Sequence, residues 1–361
     1  MSPIEGVKYK MIKGIAAFLT PTIVAANLKA EDLKGIDAVL LPGVFRGAKE
    51  LEKRIGKRCV LGPLNAADLE LAVRNAEKLG NEKPADKFLQ KEIGAKIAGI
   101  LREDGKEEFR LGNVKIGKNT RVKVIAEIND APKMCDAELM AKAEYYVASG
   151  ADILDVGAVF GEENSSEYER VFGMLKQFGK PLSIDSLNVK EINAAIEAGA
   201  RLVLSVNAGN AGIVSGLPDG TGVVVIPEKP GDLKSLERNL ALAEKNAGNR
   251  VRIIADPILN PAGYGFAESL CTYSEFRRKN SLPMMMGVGN LTELMNANPE
   301  GVNAVCAAFA SETGVELMLT TEVAKHCAGN VRSLARAVRL MFAAKVRKQI
   351  PKSIPEEALR W

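Results

Sequence analysis

Histidine is almost absent from this 361-residue chain, in which His326 is the only one. A metal site built from several histidines is therefore excluded, and a Ser-His-Asp or Cys-His mechanism would depend on this single residue. The five cysteines are widely spaced and form no Cys-x-x-Cys pair, which argues against a zinc ribbon, an iron–sulfur site and a disulfide framework. The cysteine content therefore predicts a reducing, cytoplasmic environment.

Strong charge and long apolar runs are also missing. Lys and Arg number 49 and Asp and Glu 45, and the formal charge of +4 is too small to indicate nucleic-acid binding. No window approaches the roughly 18 consecutive apolar residues of a membrane span, so we expect no membrane partner. The amino terminus lacks a basic region followed by an apolar run, so no secretory signal is expected.

No apolar run precedes a Gly-x-Gly-x-x-Gly sequence, which disfavours a dinucleotide-binding fold.

From residue 121 onward, short apolar runs alternate regularly with longer amphipathic stretches. Apolar runs without polar alternation suit parallel strands that are buried on both faces. Eight such βα units fit a closed (β/α)8 TIM barrel, which takes about 250 residues, better than an open sheet. The sequence therefore predicts an α/β protein with a barrel over residues 119–349, and its last helix over 331–348. The eight predicted strands are 122–128, 152–156, 181–184, 201–206, 222–226, 251–255, 283–288 and 315–319.

The segment before the barrel, residues 1–118, predicts a small α/β domain in which we find no catalytic motif. It contains two apolar runs with turn signals and three helical patterns. A β-hairpin is expected around Gly112-Asn113, because this pair is typical of a tight turn between strands. The role of this domain stays open, and a polar tail is expected over 350–361. The helical patterns lie near 45–55, 66–80 and 86–103.

Polar residues at the carboxyl ends of barrel strands build the active site in this fold, so those positions are the candidates. Asp185 is one, because Ser186 or Asn188 could cap the following helix without it. Asp256 is another, because it precedes Pro257 and is therefore held extended, which makes it a poor helix cap. The remaining candidates are Asn129, Asp155, Ser205, Asn207, Asn290, Lys325 and His326.

Structural roles compete with functional ones at several of these positions. A single Asp after a strand is about as often a helix cap as a ligand. Asp155 has apolar neighbours on both sides and could instead anchor the barrel floor. Asn129 could be a turn residue, and a solvent-facing or capping role is the more common one for a residue placed like His326.

Two of the βα units carry a family resemblance. Residues 150–157, Gly-Ala-Asp-Ile-Leu-Asp-Val-Gly, followed by Glu-Arg-Val at 169–171, resemble the second barrel unit of dihydropteroate synthases. Residues 181–186, Pro-Leu-Ser-Ile-Asp-Ser, followed by 194–200, resemble the third unit. The chain as a whole resembles the archaeal dihydropteroate synthase-related proteins of the pterin-binding superfamily. The resemblance implies that Asp185 and Asp256 hold the pyrimidine edge of a pterin, which is a substrate or ligand, and that the protein forms a homodimer.

The sequence departs from the synthase pattern where a diphosphate would bind. The Gly-Gly-Glu-Ser-Thr-Arg-Pro loop after the second strand is replaced by Gly-Ala-Val-Phe-Gly-Glu-Glu-Asn at 157–164. Leu204 stands at the position of the family's fourth-strand Asn, so Ser205 or Asn207 would have to substitute for it. Asn290 stands where the family has a Lys, and the Arg-x-His pair near the last strand is absent. The basic residues near that strand are Lys325, His326 and Arg332.

Three functions follow from the resemblance. The first is a transferase of tetrahydromethanopterin or folate-type biosynthesis, which condenses a dihydropterin methyl diphosphate with an arylamine. In that reaction, Asn129 would help to place a Mg²⁺ ion, and Lys325 or His326 would neutralise the leaving diphosphate. Asp155, Ser205, Asn207 and Asn290 would complete the pterin pocket.

The second function is methyl transfer from a methylated pterin, with Asn290 close to the pterin N5. The chain has no Asp-x-His-x-x-Gly cobalamin motif, so this function requires a separate corrinoid protein as partner. The third function is a non-catalytic pterin-binding module. The resemblance of the whole chain favours the first function, and the other two stay open as alternatives.

Overall fold

The computed structural model describes residues 4–248 and 250–360, which form two compact units. One unit contains the described residues up to 100 together with 343–360, and the other contains residues 101–342. The hairpin that we expected in the leading domain therefore belongs to the barrel unit. The expected polar tail belongs to the smaller unit and buries Ala358 and Leu359. No helix among the described residues is both long enough and apolar enough to cross a membrane.

The smaller unit is built on two parallel strands, β1 (Ala38–Leu41) and β2 (Arg58–Leu61). Apolar side chains from these strands and the adjacent helices form its core. A buried ion pair joins Arg347 Nη2 to Asp68 Oδ2 at 2.6 Å. Its helices are α1 (Pro21–Asn27), α2 (Ala30–Leu33), α3 (Ala48–Ile55), α4 (Leu69–Arg74) and α5 (Gln90–Glu103), the last of which extends past residue 100.

The larger unit is an eight-stranded parallel barrel, which confirms the predicted fold class. Each predicted apolar run forms a strand, and neighbouring strands follow one another in the chain. The last strand pairs with the first, and a bridge between Ala255 and Met284 closes the remaining gap. The strands are β5 (Lys123–Ile128), β6 (Ile153–Gly157), β7 (Leu182–Asp185), β8 (Leu202–Val206), β9 (Gly222–Val225), β10 (Arg252–Ala255), β11 (Met285–Gly287) and β12 (Leu317–Thr320).

Helices surround this barrel and bury an apolar layer against the outer face of the strands. The connection between β8 and β9 differs from the regular pattern, because it contains a 3₁₀ segment, Ala211–Gly216, and no α-helix. The helices are α6 (Asp136–Ala148), α7 (Tyr168–Leu175), α8 (Val189–Ala198), α9 (Leu233–Ala247), α10 (Phe266–Lys279), α11 (Gly289–Thr292), α12 (Pro299–Thr313) and α13 (Asn330–Val346).

The amino-terminal end of the barrel is filled by the predicted hairpin, β3 (Phe109–Leu111) and β4 (Val114–Ile116). Gly112 forms its turn with a φ of 56°, a conformation that favours glycine. Leu111 and Ile116 are fully buried and pack with the inward-facing apolar residues of the strands. The lower barrel is therefore a packed apolar floor, and the polar side chains are left at the carboxyl ends of the strands.

Candidate functional site

Carboxylates from three neighbouring strands converge just above the apolar floor. Side chains alternate along a strand, so the residue two places after an inward-facing one also points inward. Ile125 and Ile153 belong to the floor, and Glu127 and Asp155 follow at that spacing as register partners. Asp185 ends β7 opposite Gly157. One carboxylate oxygen from each of Glu127, Asp155 and Asp185 lies within 4.8 Å of the others.

This arrangement raises the pKa of each of these carboxyl groups. Burial raises the pKa of Glu127 to about 7, and the nearby Asp185 acts in the same direction. Burial and the neighbouring Asp256 raise the pKa of Asp185 to about 6. Burial, followed by Asp185 and Glu127, raises the pKa of Asp155 well above its usual value. Above the apolar floor, each negative charge is poorly solvated and repelled by the others, so the pocket favours a proton, a cation or a hydrogen-bond donor.

Asp155 and Glu127 differ in how their oxygens are satisfied. Asp155 is fully buried, and its Oδ1 accepts a hydrogen bond from the Ser183 hydroxyl while Oδ2 has no partner among the described residues. Asn129 donates from Nδ2 to Glu127 Oε1 at 2.9 Å, and its own Oδ1 accepts from the Thr321 hydroxyl. The candidate metal ligand Asn129 therefore lies at the cluster, where it holds Glu127 in place.

Asp256 follows β10 on the same inward face and is 5% exposed. Its Oδ1 accepts hydrogen bonds from the Tyr273 hydroxyl at 2.5 Å and from the Ile258 amide at 2.8 Å. Ile258 has a φ of 69°, a strained conformation for a β-branched residue, and this geometry accompanies its bond to the carboxylate. Burial raises the pKa of Asp256 to about 6. Asp256 is therefore oriented by its neighbours and is ionised above neutral pH.

Three other candidates take part in local hydrogen bonds, Asn207 and Asn290 through their side chains and Ser205 through its backbone carbonyl. Asn207 accepts the Gly209 amide at 2.9 Å on its side-chain oxygen, which makes it a turn residue. The Ser205 carbonyl accepts from Asn210 Nδ2 at 3.0 Å. Asn290 donates from Nδ2 to the Leu259 carbonyl at 2.7 Å, so this amide ties the loop after β10 to α11.

The basic candidates lie beyond the last strand. Lys325 is exposed, whereas His326 donates from Nε2 to the Thr292 carbonyl at 2.9 Å. His326 also lines a cavity of about 630 Å³, whose other lining residues lie at or near the amino-terminal ends of α12 and α13. Arg332 and Arg336 line the same cavity, so the structure groups basic side chains that are separated along the sequence.

Glu127, Gly157 and Tyr273 contribute to the site but were not among the predicted residues. Glu127 lies inside a strand, whereas most of the predicted positions follow one. A charged residue within an otherwise apolar strand was the available signal for it. Gly157 leaves room for Glu127, because a Cβ at this position would lie 2.7 Å from Glu127 Oε1. Tyr273 lies on α10, and no local pattern relates it to Asp256.

Comparisons with known proteins agree with this architecture. A family model described as "Pterin binding enzyme" matches residues 131–224. An uncharacterized protein of Methanocaldococcus jannaschii is 35% identical over 371 aligned residues, which cover 94% of this chain and 70% of that protein.

Solved dihydropteroate synthases are similar in structure. The enzyme of Xanthomonas albilineans, solved with 4-aminobenzoic acid, has a TM-score of 0.51 at 19% identity, covering 63% of this chain and 94% of its own. The enzyme of Thermus thermophilus has a TM-score of 0.49 at 20% identity, covering 64% of this chain and 96% of its own. The likeness to the Xanthomonas enzyme is a likeness of fold.

Proposed function

Because this chain belongs to the archaeal dihydropteroate synthase-related family, together with the Methanocaldococcus jannaschii protein, we propose that its barrel binds a pterin and joins the exocyclic methylene carbon of that pterin to an arylamine. The observation that carries the proposal is the group of inward-facing carboxylates at the barrel mouth, above all Asp185 and Asp256. The reaction is the condensation of a dihydropterin methyl diphosphate, as in tetrahydromethanopterin or folate-type biosynthesis.

The pyrimidine edge of a pterin presents ring N–H and amino donors, which require oxygen acceptors. Asp185 ends β7 and Asp256 follows β10, so the two carboxyls come from different strands of the barrel. They are close enough for Asp256 to raise the pKa of Asp185. With pKa values of about 6, both carboxyls are ionised above about pH 7 and accept hydrogen bonds. A charge-assisted hydrogen bond in a buried pocket is strong and specific in geometry, which favours a pterin over a less donor-rich ring.

The proposed reaction needs positive charge where diphosphate leaves. The arylamine nitrogen forms a bond to the exocyclic methylene carbon of the pterin as the bond from that carbon to the diphosphate oxygen breaks. Diphosphate departs with the bonding electron pair, and the amine proton passes to solvent. His326, Arg332 and Arg336 line, together with Glu300, the cavity that we connect with this role. Lys325, which precedes His326 in the chain, is exposed.

Pterin binding is tested by calorimetric titration of the protein with 6-hydroxymethyl-7,8-dihydropterin. Asp185→Asn and Asp256→Asn each remove one charge-assisted acceptor, worth roughly 1.5–3 kcal/mol, so each should weaken binding by about 10- to 150-fold. Asp219→Asn is the control, because Asp219 is a 77% exposed aspartate. Unchanged affinity in both pocket variants would contradict the proposed pterin site.

The reaction is tested separately by incubating the protein with the dihydropterin diphosphate, an arylamine and Mg²⁺. We expect release of diphosphate together with a condensed product. Pterin binding without any product, with arylamines that do or do not carry a ribose phosphate, would reject the transferase and favour a binding module. Methyl transfer to an added corrinoid protein, lost in Asn290→Ala, would instead support the methyltransferase alternative.

A further inference from the structure

The carboxylates of Glu127, Asp155 and Asp185 converge at the mouth of the barrel. Their closest arrangement places one oxygen of each within 4.8 Å of the others. Two oxygens bound to one divalent cation at about 2.0–2.6 Å lie at most about 4–5 Å apart, so this spacing suits a shared ion. Across residues 4–248 and 250–360, none of the three carboxylates forms a salt bridge with Lys or Arg.

A second observation at the same place is the unsatisfied oxygen of Asp155. The side chain is fully buried, and in the part of the chain that the structure describes Oδ2 has no hydrogen-bond partner, although Oδ1 accepts from Ser183. Burying a carboxylate oxygen without a donor is costly, and most buried polar atoms in proteins have a partner. Asp155 lies on β6, between the strands that carry Glu127 and Asp185, so a cation there would satisfy all three groups at once.

The surrounding residues preserve this arrangement. Gly157 leaves the space that the Glu127 carboxylate occupies, since a Cβ would approach its Oε1 to 2.7 Å. Asn129 donates to the same oxygen at 2.9 Å and is itself fixed by Thr321. Asn129 is thus a positioning residue for Glu127.

We infer that Glu127, Asp155 and Asp185 form a binding site for one hard divalent cation, Mg²⁺ or Mn²⁺. Carboxylate oxygens are the preferred ligands of these ions. The site requires no pterin and therefore goes beyond the proposed function. A cation held there would also offer positive charge to a phosphate-bearing substrate, and this role alone rests on the proposed function.

The test is titration of the metal-free, full-length protein with Mn²⁺ in the absence of pterin. Electron paramagnetic resonance measures the free Mn²⁺ at each step, and calorimetry measures the binding independently. We expect one Mn²⁺ per chain and competition by Mg²⁺. Glu127→Gln and Asp155→Asn should each weaken Mn²⁺ binding at least about tenfold, the scale seen when the support of a metal site is altered. Gly157→Ala should weaken binding while retaining all three carboxylates, because it crowds Glu127.

Two controls separate the possible failures. Asp219→Asn, at an exposed position, should bind Mn²⁺ as the unaltered protein does. Asp256→Asn should lose pterin affinity and still bind one Mn²⁺. The metal site would be overturned if the folded, unaltered protein failed to bind Mn²⁺. It would also be overturned if Glu127→Gln and Asp155→Asn bound Mn²⁺ with the affinity of the unaltered protein. Mn²⁺ binding without pterin binding would overturn only the proposed function.

Discussion

Raising the pH from about 4.5 to about 7.5 should destabilise the metal-free protein, because the site carboxyls ionise less readily in the folded chain than in the unfolded chain. Burial raises the pKa of Asp256 from 3.8 to about 6 and that of Glu127 from 4.5 to about 7. Between these values the folded protein retains a proton that the unfolded chain has lost. Unfolding therefore releases protons, and the free energy of unfolding falls with rising pH until about pH 7.

The magnitude follows from the size of the shifts. A shift of about 2 pKa units corresponds to roughly 3 kcal/mol for one group. Lys123 titrates outside this range: burial lowers its pKa to about 8, so its contribution to the free energy of unfolding changes only above that pH. Glu316, whose pKa is raised by burial to about 7, acts in the same direction as the site. The pH dependence of the free energy of unfolding of the unaltered protein therefore includes contributions from groups outside the site. Variants are needed to isolate the contribution of the site carboxyls.

Urea denaturation at a series of pH values measures the effect. Glu127→Gln should remove about 3 kcal/mol of the pH dependence, so that the variant is more stable than the unaltered protein near pH 7.5 and similar to it near pH 4.5. Asp219→Asn, at an exposed position, should leave the profile unchanged. A flat or rising profile in the unaltered protein, or the same slope in Glu127→Gln, would refute this account of the carboxylate cluster.

Two further predictions concern packing and a buried charge. Gly222→Ala should destabilise the barrel by about 1–3 kcal/mol, because its Cβ would lie 2.9 Å from Leu111 Cδ2. Gly173→Ala in α7, where a Cβ meets nothing within 4 Å, should instead stabilise by about 0.5–1 kcal/mol, and effects of the same sign in thermal unfolding would contradict the packing argument. In the smaller unit, Arg347→Met should cost about 3–5 kcal/mol by leaving the Asp68 carboxylate buried without its partner. Adding Asp68→Asn should restore most of that loss, and a cost near zero for Arg347→Met alone in urea denaturation would show that the pair is not needed.

The barrel itself could be predicted from the sequence because each of its strands and helices is encoded by a pattern of neighbouring residues. Apolar runs of strand length, separated by amphipathic stretches, correspond to β5–β12 with ends that differ by at most two residues. Asp185 ends a strand and Asp256 follows one, so their position at the mouth was also predictable from the fold. The Gly112-Asn113 turn was visible in the same way, although its place at the bottom of the barrel was not.

Contacts between distant residues could not be predicted in this way. Glu127 and Asp155 meet because β5 and β6 pair in a particular register, and Asp256 is held by Tyr273 from a helix. Asn207, by contrast, uses its side chain in a local turn, which sequence position alone does not distinguish from a site at a strand end.

The sequence by itself determined the number of the strands, their order along the chain and which polar residues stand at their carboxyl ends. Only the closed barrel decided which face is the interior and which charges share it. The physical reason is that burial and repulsion between charges depend on distance in space, and residues such as Glu127 and Asp185 become neighbours only when their strands are paired in the barrel. The pKa values, the unpaired oxygen of Asp155 and the proposed cation site all arise at that stage.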